Sequence, residues 1–122
     1  METRRVQRIK TELKGKIEVP EETKKKVVVL KGMPFKTRDI SLSGALLIVT
    51  HYLPKGIEVS LVFSEDKKAQ LPGFTISAGT IYCKFAAIKR YKLGVKFHGL
   101  GEKKKKFIQN LLNKYRQSSL AP

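Results

Sequence analysis

A short stretch in the first half of the chain combines residue types that can bind a polar ligand. Asp39, Ser41 and Gly44 stand in the order Asp-x-Ser-x-x-Gly between two apolar runs. In an extended backbone, Ile40 and Leu42 point to one face, and the carboxylate and hydroxyl groups point to the other. Gly44 permits either a positive φ or a close approach that any Cβ would block. The stretch therefore predicts either a binding group at a strand end, or a strand running into an Asx or Ser turn, which needs the same residues for local capping.

A second cluster near the N-terminus completes a two-part pattern. Arg4 and Arg8 are four residues apart, a spacing that places them on one side of a helix or a strand. The chain thus carries RxxxR followed by DxSxxG, and this pair, in this order, resembles the PilZ domain, the bacterial receptor module for the second messenger cyclic di-GMP. Leu93–Phe97 is similar to the glycine-containing last strand of that family. A lysine-rich amphipathic stretch follows where the family has its C-terminal helix, so the resemblance covers nearly the whole chain.

The resemblance implies which residues bind cyclic di-GMP. They come from a flexible arm and from the barrel surface: Arg4 and Arg8 from the arm, and Asp39, Ser41 and Gly44 from the barrel. Arg5 and Arg38 adjoin the two motifs and are additional candidates, although the family motif does not require them.

The chemistry of this ligand suits those residue types. A guanidinium group pairs bidentately with phosphate or with guanine O6 and N7, and its flat face stacks on a base. The Asp39 carboxylate can accept from the donors on the Watson–Crick edge of guanine, a match that adenine does not offer. Ser41 adds a rotatable hydroxyl, and Gly44 gives the ligand room.

Charge is the unusual feature of the composition. Among 122 residues, 26 are Lys or Arg and 10 are Asp or Glu, which gives a net charge of +16. Such an excess predicts an anionic partner, because the summed field of a protein concentrates counterions at its surface. Nucleic acid, a nucleotide, an acidic protein and anionic lipid all qualify. The alternative function is therefore a small basic nucleic-acid-binding barrel, although Trp is absent and the aromatic residues, which single-strand binders use for stacking, fall mostly at inward positions.

The sequence predicts neither an enzyme nor a metal site. His51 and His98 are the only histidines, no Cys/His/Asp cluster has metal-ligand spacing, and no glycine-rich phosphate loop occurs, so we expect no cofactor. Cys83 is the single cysteine, which predicts a buried thiol and a cytoplasmic protein without an internal disulfide. No signal peptide is predicted, and no apolar run approaches the roughly 20 residues that span a bilayer. The lysine run Lys103–Lys106 predicts a solvated helix face or a docking surface for an acidic partner.

Apolar periodicity predicts about six antiparallel strands and then one helix, the pattern of a small β-barrel capped by a helix. Strands are predicted over 13–19, 45–50, 57–63 and 91–98, and another over Val27–Leu30, resuming at Phe35. A further strand begins at Phe74, and its alternation slips at Gly79, which predicts a β-bulge there. We expect a single PilZ-like domain over residues 1–122, with a flexible arm at 1–12, the barrel at 13–99 and the helix at 101–117.

The predicted mechanism is ordering of the arm by the ligand. Cyclic di-GMP would bridge the arginines of the arm to the barrel, which changes shape and surface charge in a way that a partner can recognise. The chain contains no second predicted domain, so the expected output is contact with a separate partner protein.

Overall fold

The structure is a computed structural model that describes residues 9–10, 12–19, 32–65 and 72–120, with side chains described for 12–19, 32–65 and 72–113. This part of the chain forms seven strands and one helix. The elements are β1 (Ile9–Lys10), β2 (Lys14–Glu18), β3 (Met33–Ile40), β4 (Gly44–Val49), β5 (Glu58–Phe63), β6 (Phe74–Ala87), β7 (Arg90–His98) and α1 (Glu102–Leu120).

Six of these strands close into an antiparallel barrel. Their order is β3-β2-β5-β6-β7-β4, and β4 pairs with β3 to complete the ring. The short strand β1 pairs with the C-terminal end of β3, where Ile9 is opposite Ile40, so it extends the ladder that β2 makes with the other end of β3. The predicted six-stranded antiparallel barrel with a C-terminal helix is confirmed.

Alternation of apolar residues builds the core. The inward residues of β5 and β7 are Val59, Leu61, Phe63, Leu93, Val95 and Phe97, none of them more than 7% exposed. Their neighbours Glu58, Lys96 and His98 are exposed on the outer face. This period of two sends one face of each strand into the barrel, and burial of its apolar side chains is the main favourable term in folding.

The helix closes the barrel through an aromatic chain. Ile108, Leu111 and Leu112 are buried against the barrel, as the predicted apolar stripe requires. The ring centroids of Phe107 and Phe74 are 4.6 Å apart, and Phe74 stacks on Phe63 at 4.4 Å. The helix thus covers the end of the barrel at which β6 begins.

The strand β6 is one long strand, as predicted, but its register with β7 shifts twice, and the shift nearer to the predicted bulge is two residues beyond Gly79. Gly79 pairs in register with Glu58 on β5 and with Lys96 on β7. The register with β7 shifts between Thr80 and Tyr82, so Ile81 is the extra residue. It is 45% exposed and does not share the inward face with Cys83, contrary to the predicted alternation.

Other boundaries differ modestly from the sequence predictions. Ile9 and Lys10, which were assigned to the arm, form β1. The helix begins at Glu102 and ends at Leu120, three residues beyond the predicted end. The predicted strand at Val27–Leu30 lies outside the described residues.

A buried threonine fixes the loop between β4 and β5. Thr80 is 4% exposed, and its hydroxyl donates to the Pro54 carbonyl oxygen at 2.6 Å. Thr80 Oγ1 in turn accepts a hydrogen bond from the Ile57 amide at 2.8 Å. The loop therefore depends on one side chain for two of its backbone polar groups.

We predict that Thr80→Val lowers the free energy of unfolding by about 1 to 3 kcal/mol, because it leaves a buried amide and a buried carbonyl without their partner. Urea denaturation measures the effect. The matched control is Thr75→Val, at an exposed position of the same strand, which should change the free energy by no more than about 0.5 kcal/mol. Equal effects of the two substitutions would contradict the structural role of Thr80.

Candidate functional site

The turn between β3 and β4 is held together by Ser41. Its amide donates to the Gly44 carbonyl oxygen at 2.9 Å, and the residue is only 2% exposed. Its Oγ accepts from the Ser43 amide at 3.2 Å and from the Gly44 amide at 3.3 Å. The hydroxyl hydrogen can go to the Gly44 carbonyl at 3.2 Å or to Ser43 Oγ at 3.1 Å. One donor and two acceptor sites are thereby used, so the predicted Ser turn is confirmed.

Gly44 is required for a close approach between backbones. It begins β4 and pairs with Lys96 of β7. A Cβ at this position would overlap the carbonyl oxygen of Val95 and lie 3.2 Å from its carbon. Of the two roles that the sequence left open for this glycine, the structure shows a close approach, and the group that approaches is the β7 backbone.

Asp39 lies at the end of β3, beside the turn. It is half-buried, with its Oδ1 atom shielded from solvent. It is opposite Leu46 on β4 and Lys10 on β1. The register of β3 with β4 shifts between Thr37 and Asp39, so the exposed Arg38 is the extra residue of a bulge in β3. Bulges of this kind re-aim side chains next to functional sites.

A row of side chains continues from Asp39 across the outer face. Cross-strand neighbours share a face, and the row runs through Leu46 and Gly94 to Tyr82 on β6. The Tyr82 ring lies against Gly94, where an added Cβ would come within 2.7 Å of the ring carbon Cζ. Lys84 Nζ is 5.3 Å from the centre of this ring. Three strand spacings, about 14 Å measured along the curved sheet, separate Asp39 from Tyr82.

The structure thus brings together only part of the predicted site. Asp39, Ser41 and Gly44 lie within one strand end and its turn, with Arg38 next to them. Arg4, Arg5 and Arg8 lie outside the described residues. Tyr82, at the far end of the row that begins at Asp39, was missed, because that row depends on pairings between strands that are distant in the sequence.

The remaining candidate groups have ordinary surroundings. His98 Nε2 lies 3.0 Å from Glu58 Oε1 at the surface, and His51 Nδ1 lies 2.9 Å from Thr50 Oγ1. Among residues 12–19, 32–65 and 72–113, no group of three or more His, Cys, Asp or Glu side chains could hold a metal ion.

Burial raises the pKa of the Cys83 thiol, and a backbone hydrogen bond at Leu53 partly offsets this increase, so the thiol is protonated at neutral pH. No helix in the described part is long and apolar enough to cross a membrane.

Exposed aromatic rings change one expectation from the sequence. Tyr52, Tyr82 and Phe85 are 56%, 38% and 68% exposed. The aromatic residues are therefore less uniformly inward than the alternation predicted, and stacking surfaces are present on the barrel.

The described part of the chain is thus a small β-barrel module. One helix covers the closed barrel, and a polar motif lies at the hairpin that closes it. The PilZ domain family model matches residues 2–114, a range that includes both motifs. The chain belongs to the PilZ domain family.

Solved structures agree with this assignment at the level of the fold. The PilZ domain with c-di-GMP of YcgR from Escherichia coli is similar over 97% of this chain and 95% of that one, with 15% identity and a TM-score of 0.72. The inhibitor of motility MotI/DgrA of Bacillus subtilis is similar over 98% of this chain, with 14% identity and a TM-score of 0.70. A longer YcgR chain from Escherichia coli, in complex with c-di-GMP, gives 14% identity and a TM-score of 0.72 over 98% of this chain. This chain covers 52% of the MotI/DgrA chain and 48% of the longer YcgR chain. Comparison with curated proteins gives no match.

We predict that Gly44→Ala lowers the free energy of unfolding by about 1 to 3 kcal/mol, because its methyl group must displace the β7 backbone. Thermal or urea denaturation measures this change without any ligand present. Gly101→Ala is the control, since an added Cβ there meets nothing within 4 Å and should cost no more than about 0.5 kcal/mol. Unchanged stability of the Gly44 variant would mean that β4 and β7 can separate at this point.

Proposed function

We propose that this protein is a receptor for cyclic di-GMP that uses Arg4, Arg8, Asp39, Ser41 and Gly44 as its binding residues. The observation that carries the proposal is the PilZ family match over residues 2–114, which includes RxxxR and DxSxxG. The similar YcgR domain from Escherichia coli is described with this ligand. Arg5 and Arg38 are additional candidates, and no cofactor or catalytic step is part of the proposal.

The pairing of β1 supports a site built from both motifs. Ile9 is opposite Ile40 and Lys10 is opposite Asp39 in an antiparallel ladder. In such a ladder, lower numbers on β1 correspond to higher numbers on β3. Arg8 directly precedes Ile9 in the sequence. The chain direction therefore leads from β1 towards the turn that follows Asp39, which is where an arginine could meet a phosphate held at the motif.

Among the motif residues of the barrel, Asp39 contacts the ligand directly, whereas Ser41 and Gly44 support the turn beside it. The Asp39 carboxylate stands beside the turn and accepts hydrogen bonds from guanine, a role suited to its position at the strand end. Ser41 and Gly44 shape the turn, since the hydroxyl binds turn amides and the glycine admits the β7 backbone. Leu46, the cross-strand neighbour of Asp39 on β4, supplies an apolar surface beside the carboxylate.

The proposed signal is a change in the N-terminal arm. Ligand binding would join the arginines to the barrel by charge-assisted hydrogen bonds, and the ordered arm would present a new surface to a separate protein partner, in the cytoplasm. MotI/DgrA of Bacillus subtilis, a protein of similar fold, is described as an inhibitor of motility.

A nucleic-acid-binding barrel is the second candidate function. The exposed rings of Tyr52, Tyr82 and Phe85 favour it, because bases of single strands stack on such rings next to basic groups. It differs from the first proposal in salt dependence, since phosphate contacts release counterions and binding weakens steeply as salt rises.

We predict that Arg4→Ala and Arg8→Ala each weaken cyclic di-GMP binding by roughly 1.5 to 3 kcal/mol, the range for a hydrogen bond to a charged group, with little change in stability. Titration calorimetry at physiological salt measures the binding. Arg5→Ala is the matched control and should cost less, because in an extended arm Arg5 points to the opposite face. Equal losses for all three variants would indicate a nonspecific charge effect.

The same titration separates the two candidate functions. Cyclic di-GMP should bind more tightly than GTP or single-stranded RNA. RNA binding that is equal or tighter, with a steep salt dependence, would favour the nucleic-acid barrel and reject the receptor.

We also predict that cyclic di-GMP protects the amides of residues 2 to 8 from exchange; Ile9 and Lys10 already pair with β3 as β1. These amides should exchange fast in the free protein and slowly in the complex, because the ligand supplies the contacts that order the arm. Hydrogen exchange read by mass spectrometry or NMR tests this, with the amides of β7 as an internal reference. Protection that is already present without ligand would mean a preformed site and would rule out ordering as the signal.

A further inference from the structure

In the hairpin of β6 and β7, β6 continues for eight residues beyond its pairing with β5, whereas β4 pairs with β7 to within one residue of its start. β5 pairs with β6 no further than Gly79, and β4 pairs with β7 no further than Tyr91. All residues from 84 to 90 are exposed. Ile88 is 87% exposed in the turn, and Phe85 is 68% exposed beside it. The most exposed large apolar side chains of the described residues therefore lie at the tip of this hairpin. Their contact with water is costly unless another surface covers them.

Two tyrosines stand behind this apolar tip. Tyr91 is edge-to-face with Phe85 at 5.8 Å, and Tyr52 from the β4–β5 loop is edge-to-face with Tyr91 at 6.2 Å. Tyr52 is 56% exposed. A tyrosine combines an apolar ring with a polar hydroxyl, the combination that is favoured where hydrocarbon meets water.

The hairpin and its base are also strongly basic. No acidic residue occurs between Asp66 and Glu102 in the sequence. A row of outward positions crosses five neighbouring strands at the base of the hairpin, and four of its five members are lysines: Lys14, Lys36, Ile48, Lys92 and Lys84. Lys89 and Arg90 follow Ile88 directly in the turn. Cations therefore lie both in the turn at the tip and at the base of the hairpin.

A groove beside the tip can accept an anionic group. Its volume is about 350 Å³. The cations at its edge are Lys14, Lys36, Lys89 and Arg90, and its apolar lining includes Pro34 and Ile48. It lies at the N-terminal end of β3, whereas Asp39 lies at the C-terminal end, so it is separate from the candidate cyclic di-GMP site.

We propose that the β6–β7 hairpin docks this protein onto an anionic lipid bilayer. Ile88 and Phe85 enter the boundary between headgroups and acyl chains, and lipid phosphates bind Lys36, Lys89 and Arg90 at the groove. A convex tip with two apolar side chains offers far less than the roughly 800 Å² per partner of a stable protein interface. The same tip surrounded by cations is suited to a soft anionic surface, where inserted apolar area and charge attraction act together. The inference does not depend on cyclic di-GMP.

The test is flotation of the full chain with vesicles. Vesicles of equal parts phosphatidylcholine and phosphatidylglycerol should carry the protein, and vesicles of phosphatidylcholine alone should not. Ile88→Asp and Ile88→Ser should each reduce the partition coefficient by about tenfold or more, because the inserted apolar area is lost. The position is exposed, so circular dichroism melting should show an unchanged fold for both.

Matched charge reversals separate this site from the general charge of the protein. Arg90→Glu and Lys105→Glu change the net charge equally, but Lys105 lies on α1, which packs at the opposite end of β6. Arg90→Glu should reduce vesicle binding by about fivefold or more, and Lys105→Glu by much less. Equal losses, full binding by Ile88→Ser, or no binding of the wild-type chain to the anionic vesicles would each overturn the proposal. Single-stranded RNA that binds more tightly than the anionic vesicles, and loses affinity with Arg90→Glu, would assign the hairpin to nucleic acid instead.

Discussion

The contact on which the structure depends is the backbone approach of β4 to β7 at Gly44. The ring of strands closes because β4 pairs with β3 on one side and with β7 on the other. Gly44, the first residue of β4, must lie against the Val95 carbonyl group. The Ser41 hydroxyl fixes the turn that precedes β4. Two motif residues are therefore components of the closing hairpin. A ligand that binds beside them meets a surface whose shape is set by barrel closure, which is a form of preorganisation.

Local patterns in the sequence were sufficient for most of the barrel. β5 and β7 follow from strict alternation, since Val59, Leu61 and Phe63 face inward with polar or half-buried residues between them. The turn after Asp39 was also predictable, because a Ser turn and a glycine act within four residues of each other. The helix followed from the stripe at Ile108 and Leu111. All these features depend on residues that are close in the sequence.

Features that depend on strand length and partner choice could not be predicted in this way. Alternation showed that a bulge was needed in β6, but only the pairing with β7 decides that Ile81 is the extra residue. Phe85 follows the inward parity, yet it is exposed because β6 continues beyond its pairing with β5, which ends at Gly79. The basic row across the barrel likewise appears only when five strands are placed side by side. Arg4 and Arg8, the arginines proposed for the candidate site, lie outside the described part of the chain, so their placement stays a prediction.

Two glycines of the sheet face aromatic rings on the neighbouring strand. Gly15 is opposite Phe35, and Gly94 is opposite Tyr82. In each pair, a Cβ on the glycine would collide with the ring, which fills the space that a side chain would otherwise occupy. A ring in this position also covers the bare glycine backbone and compensates for its poor strand propensity. At Gly15 the Val62 carbonyl oxygen also blocks a Cβ, whereas at Gly94 the nearest atoms all belong to the Tyr82 ring. Gly94 and Tyr82 thus behave as a single unit of variation: a side chain becomes possible at position 94 once position 82 has become small, and mutational drift at one position is constrained by the current identity of the other.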